Sequence, residues 1–371
     1  MHKLLARIKN GFANCQQISH WYKNLTQADA MNITGQLQVN DARLEMTFVA
    51  DVIYIPASNS HPGGLYDNQL QPISHAITHR DNKTWLGAPL KEVIDLNKLP
   101  LHTSDKPYFF IGDIYNHYGH FIVESTARLW PLLHLPNGFA KNYLYCGKDA
   151  SEKLLQKTYI KDIYGCFSLS PDNFLRFDQP CRLQNVFIPL PAFEIRRQGN
   201  QLFRETMLHV GNHLAGDLSE INNSNLTPLY ISKSKLPGGV SRIFNETAIE
   251  EILTSKGVDI WHPQTLDLAS QIKELTTRKY IMGSVGSALH NLLFCPGDKI
   301  ISGACLGEKI KSSYLIIDRL CNNSARYIAG KQSSLAISND PKLCNPARFV
   351  NTFYAAKPEK VAELLLQNLQ I

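Results

Sequence analysis

In the second half of this chain, the pattern of hydrophobic and polar positions alternates between short apolar runs typical of strands and the wider apolar spacing typical of helices. Short strand-like runs, Leu229 to Ser232 and Val258 to Trp261, are each followed by a segment with apolar residues at helical spacing, Asn245 to Ser255 and Asp267 to Thr276. Strands that alternate with helices at this spacing predict a parallel, doubly wound sheet. Ligands bind at the carboxyl ends of the strands in such sheets, so residues that follow a strand are candidate binding residues.

The first half of the chain is also predicted to mix strands with helices. Its predicted strands are Arg43 to Ile55, Pro107 to Gly112, Tyr143 to Cys146 and Leu183 to Pro189, and its predicted helices are Tyr115 to Trp130, Ala150 to Thr158 and Gly199 to Leu214. A polar segment, Gly216 to Pro228, is the predicted linker. Near the end of the chain, Pro358 to Ile371 predicts an amphipathic helix. The sequence therefore favours an N-terminal domain over residues 1–220, a C-terminal domain over 221–345 and a C-terminal segment over 346–371.

A glycine-containing segment is the most informative candidate for phosphate binding. The predicted strand Lys279 to Met282 runs into Gly283 and Gly286, and an apolar run at helical spacing, Ala288 to Phe294, follows. A helix that starts at such a turn presents unpaired backbone N–H groups and the positive end of its dipole, which suit a phosphate. The glycines alone are equally typical of a tight turn. The polar residues of this segment are candidate ligand contacts: Ser284, Ser287, His290 and Asn291.

Basic residues follow the first strand of the same half. Lys233 and Lys235 stand at the carboxyl end of the strand that begins at Leu229, and Arg242 precedes the next predicted helix. Lysine point charges and an arginine fork suit a diphosphate. Scattered basic residues are usually solvated, but these lie on strand ends next to the glycine segment. That placement favours a shared anionic ligand.

A histidine-rich segment, Asn116 to Glu124, carries the candidate acid–base groups. His120 and Glu124 are four residues apart and would share one face of a helix, and His117 lies three residues before His120. Either His120 or Glu124 could take a proton from a hydroxyl nucleophile. Two alternatives stay open on spacing alone: the side chains hydrogen-bond each other at a helix start, or they form part of a metal site.

Composition narrows the classes of function. The chain has 371 residues, 44% hydrophobic and 19% charged, which is typical of a globular protein of two domains. The net charge of +6 is spread out, which argues against nucleic-acid binding, and eight cysteines without a CxxC pair argue against a zinc ribbon. No apolar run approaches the ~20 residues of a membrane span. Four apolar residues near the start could form an amphipathic helix that packs on the protein or lies on a membrane: Leu4, Leu5, Ile8 and Phe12.

Other nucleotide-binding and hydrolase motifs do not fit the chain. The pair Gly283 and Gly286 lacks the third glycine of a dinucleotide-binding fingerprint, and no acidic residue follows the next strand in the expected place. The sequence has no Walker-type Gly-Lys-Ser/Thr and no Gly-x-Ser-x-Gly elbow after a strand.

Three blocks of the sequence together resemble glycosyltransferase family 61. The family has a histidine block with a following acidic residue and Arg-Leu pair, a Tyr-Ile-Ser-Arg strand with a following arginine and Asn-Glu pair, and a glycine block that ends in Pro-Gly. They appear here, in that order, as His117 to Glu124 with Arg128-Leu129, as Tyr230 to Lys233 with Arg242 and Asn245-Glu246, and as Gly283 to Gly297. The resemblance covers the chain from about Gly63 to Ser302, and order and spacing agree across the blocks.

This resemblance implies an α/β, GT-B-like fold. Two Rossmann-like domains would face each other across a cleft, and the C-terminal helix would pack back on the N-terminal domain. The C-terminal domain would bind a nucleotide-sugar donor and the N-terminal domain the acceptor. Glu124 would be the base, oriented by His120, and His117 and Arg128 would contact the acceptor. The implied donor contacts are Lys233, Lys235, Arg242, Gly283, Ser284, Gly286, Ser287, His290 and Asn291.

The chain departs from the family pattern at three positions. His117 stands where the first block usually has asparagine, and Lys233 replaces the usual arginine of the second block. Val285 stands where family members often have histidine before the second glycine. The lysine keeps the positive charge but loses the two-pronged geometry of arginine.

The function that the resemblance implies is inverting transfer of a sugar to an oligosaccharide or glycolipid acceptor in surface-glycan synthesis, such as capsule or lipopolysaccharide. Lys233 and Arg242 would neutralise the leaving diphosphate, so neither a metal nor another cofactor is expected. Two alternatives stay open: a non-catalytic nucleotide- or carbohydrate-binding protein of the same machinery, and a metal hydrolase built on His117, His120 and Glu124. The sequence shows no signal peptide, which predicts a cytoplasmic protein and leaves open a peripheral position at the inner face of a membrane.

Overall fold

The computed structural model describes residues 32–90, 94–147, 152–218, 221, 225–338 and 344–370. The predicted N-terminal amphipathic helix with Leu4, Leu5, Ile8 and Phe12 lies outside the described residues, as does part of the predicted linker. In the part that is described, no helix combines the length and the apolar character needed to cross a membrane.

A mixed sheet forms the centre of the first half. Its two long strands, Met46–Ile55 and Cys181–Pro189, pair in antiparallel fashion. Strand Tyr108–Gly112 runs parallel to the second of them. The sheet continues through the shorter strands Tyr143–Tyr145 and Phe174–Leu175 on one side and Gly64–Tyr66 on the other, with Leu101–His102 beside the second long strand. The four strands predicted for this half are confirmed.

A parallel sheet forms the centre of the second half. Along the chain its strands are Leu229–Ile231, Asp259–Trp261, Tyr280–Ser284, Ile300–Ala304 and Ser324–Ile328, and every pairing between them is parallel. Counted in that order, they lie side by side as 2-1-3-4-5. The predicted doubly wound sheet is therefore confirmed, with its change of direction between the first and third strands.

Helices connect and cover these sheets. The α-helices are Thr158–Gly165, Gln201–Ala215, Glu246–Ser255, Leu268–Thr277, Ser312–Leu320 and Pro358–Leu369, with a short one at Glu152–Leu155. Short 3₁₀ helices are Ser74–Ala76, Leu96–Lys98, Trp130–Leu133, Pro171–Asn173, Pro263–Thr265, Ser287–Phe294 and Gly330–Ser333. Small sheets are formed by Gly239–Ile243 with Phe349–Ala355 and Leu335–Ile337, by Gln38–Asn40 with Gln198–Asn200 and Phe193–Glu194, by Thr78–Arg80 with Lys83–Leu86, and by Asn32–Thr34 with Lys309–Lys311.

The helix predicted over Tyr115 to Trp130 is shorter than expected. Helical structure begins at Tyr118–His120 and continues as a π-helical turn, Phe121–Ser125. The Ser125 hydroxyl accepts a hydrogen bond from the Tyr115 backbone N–H, at 2.9 Å, which folds the preceding segment back on the turn. Single π-helical turns occur often at functional sites, and this one carries Glu124.

One hydrophobic core extends through both halves of the chain. Helix Gln201–Ala215 packs against the 3₁₀ helix Ser287–Phe294 and against Leu268–Thr277. The Arg204 guanidinium on that helix donates hydrogen bonds to the carbonyl groups of Leu293 and Cys295. The chain is thus a mixed α/β protein in which one hydrophobic cluster joins both halves, while its GT-B-like arrangement and its domain boundaries stay predictions.

The C-terminal helix does not pack where the sequence predicted. Pro358–Leu369 lies against helix Glu246–Ser255 and strands Ile300–Ala304 and Ser324–Ile328, all in the second half. Its buried residues are Val361, Ala362, Leu365 and Leu369, and they complete the core on one face of the parallel sheet. The prediction that this helix returns to the N-terminal domain is wrong, because strand Phe349–Ala355 pairs with Gly239–Ile243 and leads the chain to the parallel sheet.

Replacing Leu365 tests this packing. Leu365→Ala should lower the free energy of unfolding by about 2–5 kcal/mol, because the side chain is fully buried and its removal leaves a cavity. Chemical denaturation measures the change. Glu363→Ala, on the exposed side of the same helix, is the control and should change the free energy by less than about 0.5 kcal/mol. Similar small effects of both variants would contradict the packing.

Candidate active site

A cleft of about 890 Å³ opens at the carboxyl ends of the parallel strands. One wall consists of residues that follow the strands, and Asn116, His117, Tyr118 and His120 of the histidine-rich segment contribute to a second wall. The cleft therefore brings together residues from all three blocks of the sequence. The predicted site residues that line it are His117, His120, Lys233, Gly286, Ser287 and Asn291.

Lys233 and Gly286 lie at the point where the strand order of the parallel sheet reverses. Lys233 follows the first strand, Leu229–Ile231, and Gly286 follows its neighbour, Tyr280–Ser284. Doubly wound sheets bind ligands at this position, because the connections on either side of it lead away in opposite directions and leave a crevice. The same two residues were singled out in the sequence.

Close approach of Lys233 explains the glycine at position 286. The Lys233 ammonium donates a hydrogen bond to the Val285 carbonyl at 3.1 Å, and a Cβ atom at Gly286 would overlap with that ammonium. The backbone of Gly286 is extended, with φ at 179°, so a left-handed turn is not the reason for the glycine. Burial lowers the pKa of Lys233 to about 8, although the nearby Glu246 favours its charged form.

Glu246 anchors the segment that carries Lys233. Its carboxylate accepts hydrogen bonds from the Tyr230 hydroxyl at 2.9 Å and from the Lys233 backbone N–H at 3.2 Å. Burial raises the pKa of Glu246 to about 7, and Lys233 opposes that increase. The sequence placed Glu246 in a family block but assigned it no role.

The glycine segment leads into a 3₁₀ helix, Ser287–Phe294. Its backbone bonds join residues three apart, such as the Leu289 N–H to the Gly286 carbonyl at 3.0 Å. The Asn291 amide is hydrogen-bonded within the protein. It accepts a hydrogen bond from the Tyr118 hydroxyl at 2.6 Å and donates one to the Gln271 side chain at 2.8 Å. These two bonds connect the walls of the cleft.

His290 lies behind the cleft wall. Its ring packs against Tyr314, with 5.2 Å between ring centres, and Tyr314 itself lines the cleft. Burial, aided by the neighbouring His120, lowers the pKa of His290 to about 3, so the ring is neutral. Gly119 packs so tightly here that a Cβ atom on it would lie 2.8 Å from the Ser287 hydroxyl. The histidine-rich segment and the glycine segment are therefore in direct contact.

His120 and Glu124 form a hydrogen-bonded pair. His120 Nδ1 lies 2.6 Å from Glu124 Oε2, and the His120 side chain is 37% exposed, against 3% for Glu124. Arg80 holds the same carboxylate with two bonds, Nε to Oε1 at 2.5 Å and Nη2 to Oε2 at 2.7 Å. An ionised carboxylate only accepts hydrogen bonds, so Glu124 is paired with an N–H at His120 Nδ1, and the neutral form of this imidazole offers Nε2 as a proton acceptor.

Several site residues were missed by sequence reasoning. Lys309, Lys311 and Tyr314 line the cleft just beyond the fourth parallel strand, Ile300–Ala304. The rule that ligands bind at strand ends, extended by one more strand, would have found them. Arg80 could not be found in this way, because it lies on the strand Thr78–Arg80, far from Glu124 in sequence.

Other predicted site residues lie outside the cleft. Lys235 borders a separate depression beside Glu250 and His262. Arg242 packs over the rings of Phe244 and Phe349, next to Ser241, which does line the cleft.

Gly283 and Ser284 belong to the strand Tyr280–Ser284, and both are buried. A Cβ atom on Gly283 would lie 2.9 Å from the carbonyl oxygen of Ile231 on the neighbouring strand. Gly283 therefore serves close pairing within the sheet.

Arg128 is buried, and its guanidinium donates hydrogen bonds mainly to backbone carbonyl groups. It donates to the carbonyl groups of His75, at 2.6 Å, and Ile77, at 3.0 Å, and to the Thr78 hydroxyl, at 3.0 Å. Burial lowers the pKa of Arg128 to about 9. Through these bonds it holds the strand on which Arg80 stands.

The arrangement of His117, His120 and Glu124 does not favour the alternative in which they bind a metal ion. Both oxygens of Glu124 are occupied by Arg80 and His120. Among the residues that the structure describes, no group of three or more histidine, cysteine, aspartate or glutamate side chains is arranged to hold a metal ion.

Comparison with known protein families agrees with this geometry. The model of glycosyltransferase 61 matches residues 118–302, about half of the chain. The chain belongs to glycosyltransferase family 61. No curated protein matches the chain. For this family 61 member, membership points to glycosyltransferase activity and thus to a sugar donor and an acceptor. Arg80, Lys309 and Lys311 lie outside the matched region.

Gly286→Ala tests the contact between Lys233 and the glycine segment. The added methyl should displace the Lys233 ammonium and weaken binding of nucleoside diphosphates on the order of tenfold, about 1.4 kcal/mol. The flexible end of Lys233 can move aside, so the loss in unfolding free energy should stay below the about 1–3 kcal/mol of an overpacked core. Calorimetric titration measures the affinity. Gly165→Ala is the control, because a Cβ atom there meets nothing within 4 Å. Unchanged affinity in Gly286→Ala would contradict a role for this contact in binding.

Proposed function

We propose that this family 61 member is an inverting, metal-independent glycosyltransferase that moves a sugar from a nucleotide-sugar to a saccharide hydroxyl. One observation carries the proposal. A histidine held by a buried carboxylate, His120, lines the same cleft as a buried lysine and a glycine segment at the reversal point of the parallel sheet. Such a cleft supplies a base for the acceptor and positive charge for the leaving diphosphate.

His120 is the base in this proposal, and Glu124 orients it. The sequence favoured the opposite roles, but the Glu124 carboxylate is buried and already accepts bonds from Arg80 and His120. His120 is the more exposed partner and lines the cleft. The acceptor hydroxyl gives its proton to His120 Nε2, and the ionised Glu124 stabilises the imidazolium that forms.

The leaving diphosphate gains negative charge as the glycosidic bond breaks. Lys233, beside Gly286, lines the cleft together with Lys309 and Lys311, and these three cations would neutralise that charge. Backbone N–H groups at the start of the 3₁₀ helix Ser287–Phe294 would add hydrogen-bond donors for the diphosphate. Preorganised donors of this kind stabilise developing charge most effectively, which removes the need for a metal ion.

Attack from the side opposite the diphosphate inverts the anomeric carbon in a single displacement. His120 and the cations line one cleft, which supports placing the acceptor and the donor diphosphate in it together. We extend the proposal to a cytoplasmic enzyme of surface-glycan synthesis, such as capsule or lipopolysaccharide, with a GT-B-like pair of domains. The acceptor is then an oligosaccharide or glycolipid.

Substitution of His120 and Glu124 tests the assignment of the base. The donor is first identified by thermal shift, since a nucleotide-sugar at 100 times its dissociation constant adds about 2.7 kcal/mol of stability. His120→Ala should then lower kcat by about 10²–10⁴ while the nucleotide dissociation constant stays within about threefold. Glu124→Gln keeps the shape of the pair and should lower kcat less than His120→Ala does, because the imidazole stays in the cleft. NMR of the product reports the anomeric configuration.

Three outcomes would count against this proposal. A larger loss in Glu124→Gln than in His120→Ala would make Glu124 the base. Loss of turnover on adding EDTA, restored by Mg²⁺ or Mn²⁺, would contradict metal independence. Nucleotide binding without transfer or donor hydrolysis would favour the non-catalytic binding protein. His134→Ala, an exposed histidine outside the cleft, serves as the control.

The pKa of Lys233 predicts how donor binding depends on pH. With a pKa of about 8, Lys233 is an ammonium at neutral pH and loses its charge as the pH rises above that value. A bound diphosphate favours the charged form, so affinity should be constant up to about pH 8 and then fall by up to tenfold per pH unit. Titrations between pH 7 and 9.5 measure this profile. Lys233→Arg keeps its charge throughout and should flatten it, and an unchanged profile in that variant would show that Lys233 is not responsible.

A further inference from the structure

An exposed tryptophan stands beside the base. Trp85 is 43% exposed, yet three contacts fix it. The Arg80 guanidinium covers its ring at 3.6 Å, its Nε1 donates to the Tyr115 hydroxyl at 2.8 Å, and its strand, Lys83–Leu86, pairs with Thr78–Arg80. An exposed indole that needed only to fill space would not require this support.

The supports of Trp85 are the same groups that hold the base. Arg80, under the indole, makes the two-bond ion pair with Glu124. Tyr115, at the indole edge, places its ring 5.9 Å from the ring of His120. Trp85 therefore lies one layer of side chains away from His120, beyond the residues that line the cleft.

The chemistry of this surface suits a sugar ring. A flat, rigid indole offers its π-face to the C–H groups on one side of a pyranose, and its immobilised position lowers the entropy lost on binding. Glu124 neutralises the Arg80 cation beneath, so the platform carries little net charge and favours an uncharged sugar over an anionic one.

We propose that Trp85 is a saccharide-binding platform that holds the acceptor sugar next to the one whose hydroxyl reacts at His120. This inference rests on the proposed function. Trp85 and Arg80 lie outside the region matched by the family model, residues 118–302. It places acceptor selection on the hairpin Thr78–Leu86, apart from the donor contacts at Lys233.

Binding can be tested without knowing the acceptor. Protein labelled with ¹⁵N on tryptophan is titrated with neutral trisaccharides, namely maltotriose, cellotriose and chitotriose, and separately with nucleoside diphosphates. The Trp85 indole signal is assigned by its loss in Trp85→Phe. At least one trisaccharide should shift this signal, whereas the nucleotides should leave it in place. If nucleotides bind and none of the saccharides moves the Trp85 signal, the platform is rejected and the donor site stands. If neither class binds, both proposals are rejected.

Kinetics separate a platform from a merely structural tryptophan. Trp85→Ala should raise KM for a trisaccharide acceptor on the order of tenfold, while donor hydrolysis and kcat at saturating acceptor stay within about twofold. Trp85→Phe keeps a ring over Arg80 and should recover most of the loss. Phe244→Ala is the matched control, because Phe244 is similarly exposed and has Arg242 over its ring, but it directly follows the strand Gly239–Ile243 of the second half. A loss of kcat and donor hydrolysis in Trp85→Ala, without a change in acceptor KM, would assign Trp85 to support of Arg80 and overturn the platform.

Discussion

The contact of a buried lysine with a glycine determines how the cleft is built. Lys233 can approach Val285 because residue 286 has no side chain, and the two segments are neighbours because the first and third strands of the parallel sheet pair. Glu246 and Tyr230 then fix the backbone beneath the ammonium. Burial makes the charge of Lys233 costly although Glu246 favours it, so a bound anion would stabilise the ammonium further. This is one reason for proposing that a diphosphate binds here.

The second constraint is the close contact between the two walls. Gly119 packs on Ser287 and His290 with no space for a methyl group, and Tyr118 bonds to Asn291, which bonds to Gln271. The distance between His120 and the cations is therefore set before a substrate arrives. Groups held in place in this way need no reorganisation when charge develops, which is the main source of electrostatic catalysis. Gly119 and Asn291 hold the two walls together by these contacts. The sequence had suggested ligand binding for Asn291.

The elements and the location of the site were largely predictable, because they depend on local patterns. The strand–helix alternation predicted the parallel sheet, and the strand-end rule predicted Lys233 and Gly286. The long-range partners of other site residues, such as Glu124, could not be predicted. Arg80 reaches Glu124 from a hairpin far away in sequence, and no periodicity encodes that pairing. Arg242 follows Ser241 on one strand, so the two side chains point to opposite sides and only Ser241 lines the cleft. The amphipathic C-terminal helix was recognised, but amphipathicity does not specify which apolar surface a helix covers, and the family resemblance suggested the wrong one.

The core that runs through both halves limits how such a protein can be recombined. Helix Gln201–Ala215 belongs to the first half, yet it buries Phe203, Met207 and Val210 in a cluster that also contains Leu293 and Ile272 of the second half. Joining either half to a foreign partner would mismatch this interior and leave Arg204 without the carbonyl groups that it bonds. New donor or acceptor preferences are therefore expected to arise through substitutions around the cleft and in surface hairpins, and not through exchange of whole modules. The exposed tip of the hairpin Thr78–Leu86, Asn82 to Trp85, is suited to such change, while Arg80 and the buried Leu86 attach the hairpin to the rest of the protein.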